Sequence, residues 1–267
     1  MEKYTVRTAI LAPAITVVRA SARPQTETSW LDSRHCFSFG RHYEPDNTHH
    51  GLLLVCNDNR LRGSTGFGEH AHEDTEIVTW MVEGELEQRD GEGHARILRP
   101  GLVGRLSAGL GIRHSEMNPA GWAPCRYIEM WVPADTGRLE PSAEVADVSG
   151  ALAAGGLVPV ASGGGARGAG GVPLTTAAGA AVESAVALQQ RQAILWAGRL
   201  AARESVIIPD GPHVHVFVAL GGGILDTGGL AGAGALDEGD SVRLVAAGSP
   251  AFTADGAGAE ILVWETA

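Results

Sequence analysis

The chain has a single lysine, Lys3, among 267 residues. That scarcity excludes a P-loop, which needs a lysine on the phosphates, and any internal amine acting as Schiff base or general base. Basic residues are outnumbered overall, 20 against 31 acidic, for a net charge of −11. No basic cluster offsets this, so the phosphate contacts on which nucleic-acid binding rests have no source. Apolar runs are short: none nears the ~20 residues needed to cross a bilayer, and Met1–Ala14 has no apolar centre of the signal-peptide kind. The three cysteines, Cys36, Cys56 and Cys125, are scattered and form no Cys-x-x-Cys pair. Each reads as a small core residue in a protein of a reducing compartment, and the expected location is the cytoplasm. Hydrolytic signatures are missing too, with neither a Gly-x-Ser-x-Gly elbow nor a His-Glu-x-x-His helix.

No long stretch keeps a helical period. Instead short alternating or β-branched segments recur, among them Gly51–Val55, Glu76–Val82, Leu86–Arg89, Ala95–Leu98 and Tyr127–Val132. The runs Asp90-Gly-Glu-Gly93, Arg99-Pro-Gly101 and Asn118-Pro-Ala-Gly121 punctuate them, which is the grammar of an all-β sandwich or barrel. Composition shifts over residues 141–171, where Ala161–Gly171 reads as a Gly/Ala-rich connector. Gly163, Gly165 and Gly168 formally match a dinucleotide fingerprint, but no strand-then-helix context or later acidic residue supports it. The Ala-rich run Leu174–Leu188 has room for at most a turn or two of helix. Strands resume at Ala193–Ala197, Ser205–Ile208, Val214–Leu220, Gly223–Asp226, Ser241–Val245 and Glu260–Glu265. The expected division is residues 1–140 and 172–267 as two related barrels, joined by a linker over 141–171.

Two short signatures carry the chemistry: His70-Ala-His72-Glu-Asp-Thr-Glu76 and His114-Ser-Glu116-Met-Asn118. Alternate residues of a strand share a face, so His70 projects with His72 and His114 with Glu116. Two such strands meeting in a barrel bring together three imidazoles and one carboxylate. That nitrogen and oxygen set without thiolate suits a divalent first-row ion: Fe(II), Mn, Ni, Cu or Zn. Glu76 keeps the phase of the pair, but with Glu116 available a supporting role fits it better than ligation. Asn118 precedes Pro119 and is expected to set the turn, and His94 to sit exposed on a hairpin. The aromatic segment Trp30–Phe39 is expected to line a pocket, with His35 or His42 as candidates near a substrate. His213 and His215 echo the first pair, but no histidine follows them. A second site on the first site's plan is therefore impossible, and they read as structural residues or relics.

These motifs resemble the pirin family of bicupins, in particular its bacterial quercetin 2,3-dioxygenase-like branch. The resemblance rests on Trp30–Phe39 with Tyr43-Glu-Pro45, on His70-Ala-His-Glu-Asp-Thr-Glu-Ile-Val-Thr-Trp80, on Glu83-Gly84 and Pro100-Gly101, and on Ser107-Ala-Gly-Leu-Gly-Ile-Arg-His-Ser-Glu116. It is dense over residues 17–133 and loose beyond the linker. It implies two cupin (double-stranded β-helix) barrels packed together, with one metal ion, usually iron, held in the first by His70, His72, His114 and Glu116. The second barrel is expected to be a metal-free wall and lid. One branch of the family cleaves flavonols with O2, and Glu116 is then the candidate base for the substrate hydroxyl. Another branch acts as an iron-dependent, non-catalytic regulator, which is the alternative reading, as is another cupin reaction in specialised metabolism. The chain departs from the common pattern in Ala71, where proline is frequent, and in its long linker and shortened second barrel. A small flavonol-like substrate and O2, no nucleic acid, no membrane, and a monomer or weak homo-oligomer complete the expectations.

Overall fold

The structure, a computed structural model, describes residues 12–163, 183–229 and 234–267. It is nearly all β, with Ser149–Ala153 the longest helical segment among the described residues. The first barrel is built from two sheets. The larger runs, in spatial order, Ser142–Asp147, Leu102–Ser107, Thr75–Glu83, Cys125–Pro133, Val55–Leu61, Leu31–His35 and Gln25–Glu27. The smaller runs Gly66–His72, Ile112–Met117, Leu86–Asp90 and Ala95–Leu98. Leu31, Leu61, Met81, Leu86, Leu98 and Tyr127 fill the space between them as one buried cluster. The second barrel is one antiparallel-dominated sheet in which His213–Asp226 and Ala251–Thr266 pair along most of their length.

Sequence pattern explains most of these strands. Thr75–Glu83 is buried at nearly every position, as a central strand covered on both faces must be. Leu31–His35 alternates buried and half-buried residues, with period two. At Gly84 the backbone turns with φ of 75°, and a Cβ there would press on the Pro124 carbonyl and Cys125. The position therefore needs glycine on two counts.

Two expectations about chain organisation are revised. The strand expected at Gly51–Val55 begins only at Val55 and runs on to Leu61 through Asn57, Asp58 and Asn59. Asn and Asp are poor strand formers, but here their side chains find buried partners: Asn57 meets His35, Asn59 meets Ser33 and Glu129, and Asp58 pairs with Arg126. The expected linker over 141–171 is ordered in its first part. Ser142–Asp147 closes the edge of the first barrel against Leu102–Ser107, and Leu157–Ser162 already belongs to the second, against Ala193–Leu200. Conversely, the early strand Ala14–Val18 crosses to the second barrel and pairs with Ser241–Val245. Each exchange supplies ladder partners to an otherwise open edge, a tertiary demand that composition does not signal. The connector beyond Gly163 and most of Leu174–Leu188 lie outside the described residues.

The barrels share a largely apolar interface. Cys36, Phe37, Cys56, Val78, Trp80 and Met130 of the first pack with Leu195, Phe217, Leu262 and Trp264 of the second in one buried cluster. The indole of Trp80 donates to Glu260 at 2.7 Å, and Arg126 bridges Asp58 at 2.8 Å and Glu238 at 2.6 Å. Buried polar groups at such a junction must be paired to be tolerated, and these fix how one barrel sits on the other.

Candidate metal centre

The Gly66–His72 strand lies at the edge of the small sheet and pairs with Ile112–Met117. His114 stands directly opposite His70, but two residues further on Glu116 faces Phe67. The Gly66–His72 strand therefore carries one extra residue at Gly68–Glu69, a bulge of the kind that re-aims side chains beside functional sites. Gly66 permits the close approach of the two strands, since any Cβ there would collide with the Glu116 carbonyl. The bulge has a second effect: the Gly68 carbonyl accepts from His70 Nδ1 at 2.8 Å. A backbone carbonyl on one ring nitrogen fixes the tautomer and leaves the other nitrogen's lone pair free for an ion.

The three imidazoles converge. Ring centroids lie 4.4 Å apart for His70 and His114, 4.9 Å for His70 and His72, and 5.0 Å for His72 and His114. One ligand nitrogen from each falls within 4.8 Å of the others. The Nε2 atoms of His72 and His114 are buried and have no hydrogen-bond partner. Burial, followed by the neighbouring His70, lowers the His72 imidazole to about 4; burial, then His70 and His72, lowers His114 to about 3. Unprotonated, orphaned, convergent imidazoles are what a divalent ion requires, so the residues present fit a metal.

Glu116 lies beside the imidazoles, lines the cavity they face, and is 1% exposed. Its carboxylate accepts from Gln88 Nε2 at 2.8 Å and from the Tyr127 hydroxyl at 3.1 Å. Burial raises its pKa despite these two donors. The carboxylate is thus held by two side chains beside the imidazoles, although it is not one of the three groups within 4.8 Å of one another. Glu76 is elsewhere: it accepts from Ser107 Oγ at 2.8 Å and from the Gln189 amide at 2.9 Å, fastening the second barrel's chain to the first. Asn118 ties its turn through Ala123, Arg62 and the Ala120 amide. His94 is exposed and held by Asp90 at 3.2 Å.

A cavity of about 440 Å³ opens onto the imidazoles, lined by Leu31, Phe39, Phe67 and Trp131 together with polar Ser33, Asn57 and Asn59. Its size falls within the ~300–1,000 Å³ of small-molecule sites. His35 lines it, with Nδ1 on Asn57 at 2.8 Å and Nε2 on Thr26 at 2.9 Å, whereas His42 packs behind its ring. Several cavity residues, Asn57, Asn59 and Glu129 among them, were not singled out from the sequence. Glu129 is buried, accepts from Trp131 Nε1 at 2.8 Å and Asn59 Nδ2 at 3.1 Å, and is pushed up to about 8, by burial first and then by the charge of Glu116. The only sequence sign of it is a charge inside an otherwise apolar strand, Tyr127-Ile-Glu129-Met-Trp131. Trp131 also sets its ring edge-on to His72 at 4.9 Å, linking this carboxyl to the imidazole cluster.

Two packed cupin barrels, the first carrying a cluster of three histidines, define a bicupin. Comparison with known proteins makes this specific. Residues 17–132 match the Pirin family. The chain is 40% identical over 96% of its length, and 96% of theirs, to proteins of Mycobacterium tuberculosis and Mycobacterium bovis that provisionally carry the name quercetin 2,3-dioxygenase. It superposes on the Escherichia coli pirin YhhW, solved with nickel(II), with a TM-score of 0.78 and 26% identity over 95% of this chain and 99% of that one. A quercetin 2,3-dioxygenase of Acinetobacter baumannii shares the fold, with a TM-score of 0.64 at 16% identity over 91% of this chain and 84% of that one. The chain belongs to the pirin family. Among the described residues no helix is long and apolar enough to cross a membrane.

Proposed function

We propose that this protein is a metal-dependent dioxygenase of the quercetinase type, cleaving the ring of a flavonol-like substrate with O2. The observation that carries the reading is the imidazole cluster opening onto an aromatic-walled cavity of small-molecule size. The provisional name of the mycobacterial relatives supports it. His70, His72 and His114 would hold the ion, and Glu116 would complete the set from the cavity side. The ion, Fe(II) by the family resemblance, though Mn, Ni, Cu or Zn suit the same donors, supplies a Lewis-acidic and, for iron, redox-active centre where substrate and O2 meet.

The chain's own residues do the rest. Phe39, Phe67 and Trp131 offer flat apolar faces that orient a polyphenol and keep water out. Glu116 accepts the proton of the substrate hydroxyl, since a buried carboxylate already raised in pKa is a competent base. Gln88 and Tyr127 hold it in position by donating one hydrogen bond to each carboxylate oxygen. Glu129, pushed up to about 8 by burial and then by the charge of Glu116, lines the cavity beside Asn57 and Asn59 and offers a substrate oxygen a polar contact.

Anaerobic reconstitution with Fe(II), followed by quercetin and O2, tests the reading. Loss of the flavonol absorption and O2 uptake should proceed together. His114→Ala should remove the ion and both signals, and Glu116→Gln should depress turnover more than metal affinity. Flavonol loss without O2 uptake counts against dioxygenation. Metal-loaded protein that ignores flavonols, yet binds a protein partner in one iron oxidation state only, would establish the regulator instead.

A further inference from the structure

A second cluster of ligand-bearing side chains lies outside the imidazole site. Cys36 follows the Leu31–His35 strand, and its amide donates to the Cys56 carbonyl at 3.0 Å, so the two thiols lie across a ladder from each other. His215 comes from the other barrel. It shares the phase of Phe217, whose ring belongs to the interface cluster, while Val214, Val216 and Val218 of the opposite phase fill the second barrel's interior. The two sulfurs and an imidazole nitrogen all lie within 4.8 Å of one another, and the three residues are 1%, 0% and 1% exposed.

Two independent observations mark this as more than packed core. First, both ring nitrogens of His215 are buried with no hydrogen-bond partner, an expense that native interiors rarely carry without an ion or water to relieve it. Second, a fixed positive charge stands beside the sulfurs. Arg23 Nη1 lies 3.9 Å from Cys36 Sγ, and a neighbouring guanidinium favours a sulfur that can ligate. The set differs in kind from the first: two sulfurs and one nitrogen select soft ions, where three imidazoles and a carboxylate select harder ones.

We propose that Cys36, Cys56 and His215 form a second metal site, for a thiophilic ion of the Zn(II) or Cu(I) class, that clasps the two barrels together. The ion is enclosed as the barrels dock, its binding displaces the thiol protons, and its affinity adds to the stability of the interface. The ligand count that argues against a metal on the second barrel considered imidazoles from that barrel alone. The fold brings the missing donors from the first.

The test uses the full chain carrying His70→Ala and His114→Ala, which silences the imidazole site. Titration with Co(II) should raise a sulfur-to-cobalt charge-transfer absorption that saturates at one equivalent. Zn(II) and Cu(I) should each displace it, and the tighter competitor identifies the class. Adding Cys36→Ser or Cys56→Ser should abolish the band, and His215→Asn should weaken cobalt binding at least about tenfold. Because a buried serine can unfold the interface, X-ray absorption of wild-type protein loaded with Zn(II) provides a parallel measurement, with sulfur scatterers expected at ~2.3 Å. Nitrogen and oxygen donors alone in both spectra would overturn the proposal. So would recovery of Cys36 and Cys56 as a disulfide from protein that holds no ion beyond the imidazole site.

Discussion

Both barrels carry a His-x-His pair at one end of a strand, the last residues of Gly66–His72 and the first of His213–Asp226, and the two pairs face different worlds. His70 and His72 lie on an edge strand, half-buried, and look into the cavity of their own barrel. His213 and His215 lie on a central strand between Ser241–Val245 and Ala251–Thr266, and His215 faces out of its barrel toward the first. A shift of one residue in phase exchanges the two faces of a strand. In the second barrel that phase places Val214, Val216 and Val218 inside, where they close the interior with Phe252, Ile261 and Val263. The same short motif thus makes an open site in one barrel and a piece of the interface in the other. Motif likeness alone does not say which side of a sheet a side chain serves.

If the interface is a true core, the largest effect on stability should come from its aromatic residues. Trp264, fully buried with its indole on Met130 Sδ at 3.1 Å, should cost about 3–5 kcal/mol as Trp264→Ala. Trp122, 90% exposed, should change stability by less than about 0.5 kcal/mol as Trp122→Ala. Urea unfolding of the two variants measures the contrast. Equal losses would mean that the barrels are held by something other than this packing.

The asymmetry of the sites is sharpened at the carboxylate. Tyr127→Phe leaves Glu116 with Gln88 as its remaining side-chain donor, and should lower metal affinity at the imidazole site by about 10–100-fold. The same change should leave any ion bound by Cys36 and Cys56 untouched, which metal titrations of the two sites can separate.

A smaller effect is expected from acid. His50 Nε2 bonds the Val214 and Leu244 carbonyls at 3.1 Å each, tying a first-barrel loop to the second barrel. Burial, then His215, lowers its pKa to about 3, with His213 and Arg243 acting in the same direction. The unfolded chain takes up a proton near pH 6.5 and the folded chain does not, so stability rises with pH across this window and is lost as pH falls from about 6.5 toward about 3. One such proton is worth at most about 1.4 kcal/mol per pH unit. His50→Gln should flatten the fall in stability measured between pH 6 and pH 5. An unchanged slope would assign the acid sensitivity to other histidines.

The smallest effect should come from His213, which packs edge-on against His50 at 5.3 Å. His213→Asn is expected to leave turnover and both metal sites unchanged. A lost metal equivalent in this variant would move the second site from the interface into the second barrel.

The sequence alone pointed to the all-β class, to two barrels, and to His70, His72, His114 and Glu116 as one candidate ligand set, of which the structure brings the three imidazoles together. The strands and the two ligand pairs rest on local periodicity, since alternate residues share a face and Gly, Pro and Asp break the chain into short strands; the two packed barrels rest on the resemblance of the motifs. Three things needed the tertiary structure. The Val55–Leu61 strand is written in Asn and Asp, residues that signal turns until partners such as His35 and Arg126 are in place. The chain exchange between barrels at Ala14–Val18 is set by the need of an open sheet edge for a ladder partner. Glu129, and the meeting of Cys36 and Cys56 with His215, join residues from separate strands or separate barrels. No local pattern encodes such encounters, because they depend on which face of which strand the packing of the two cores turns toward the other.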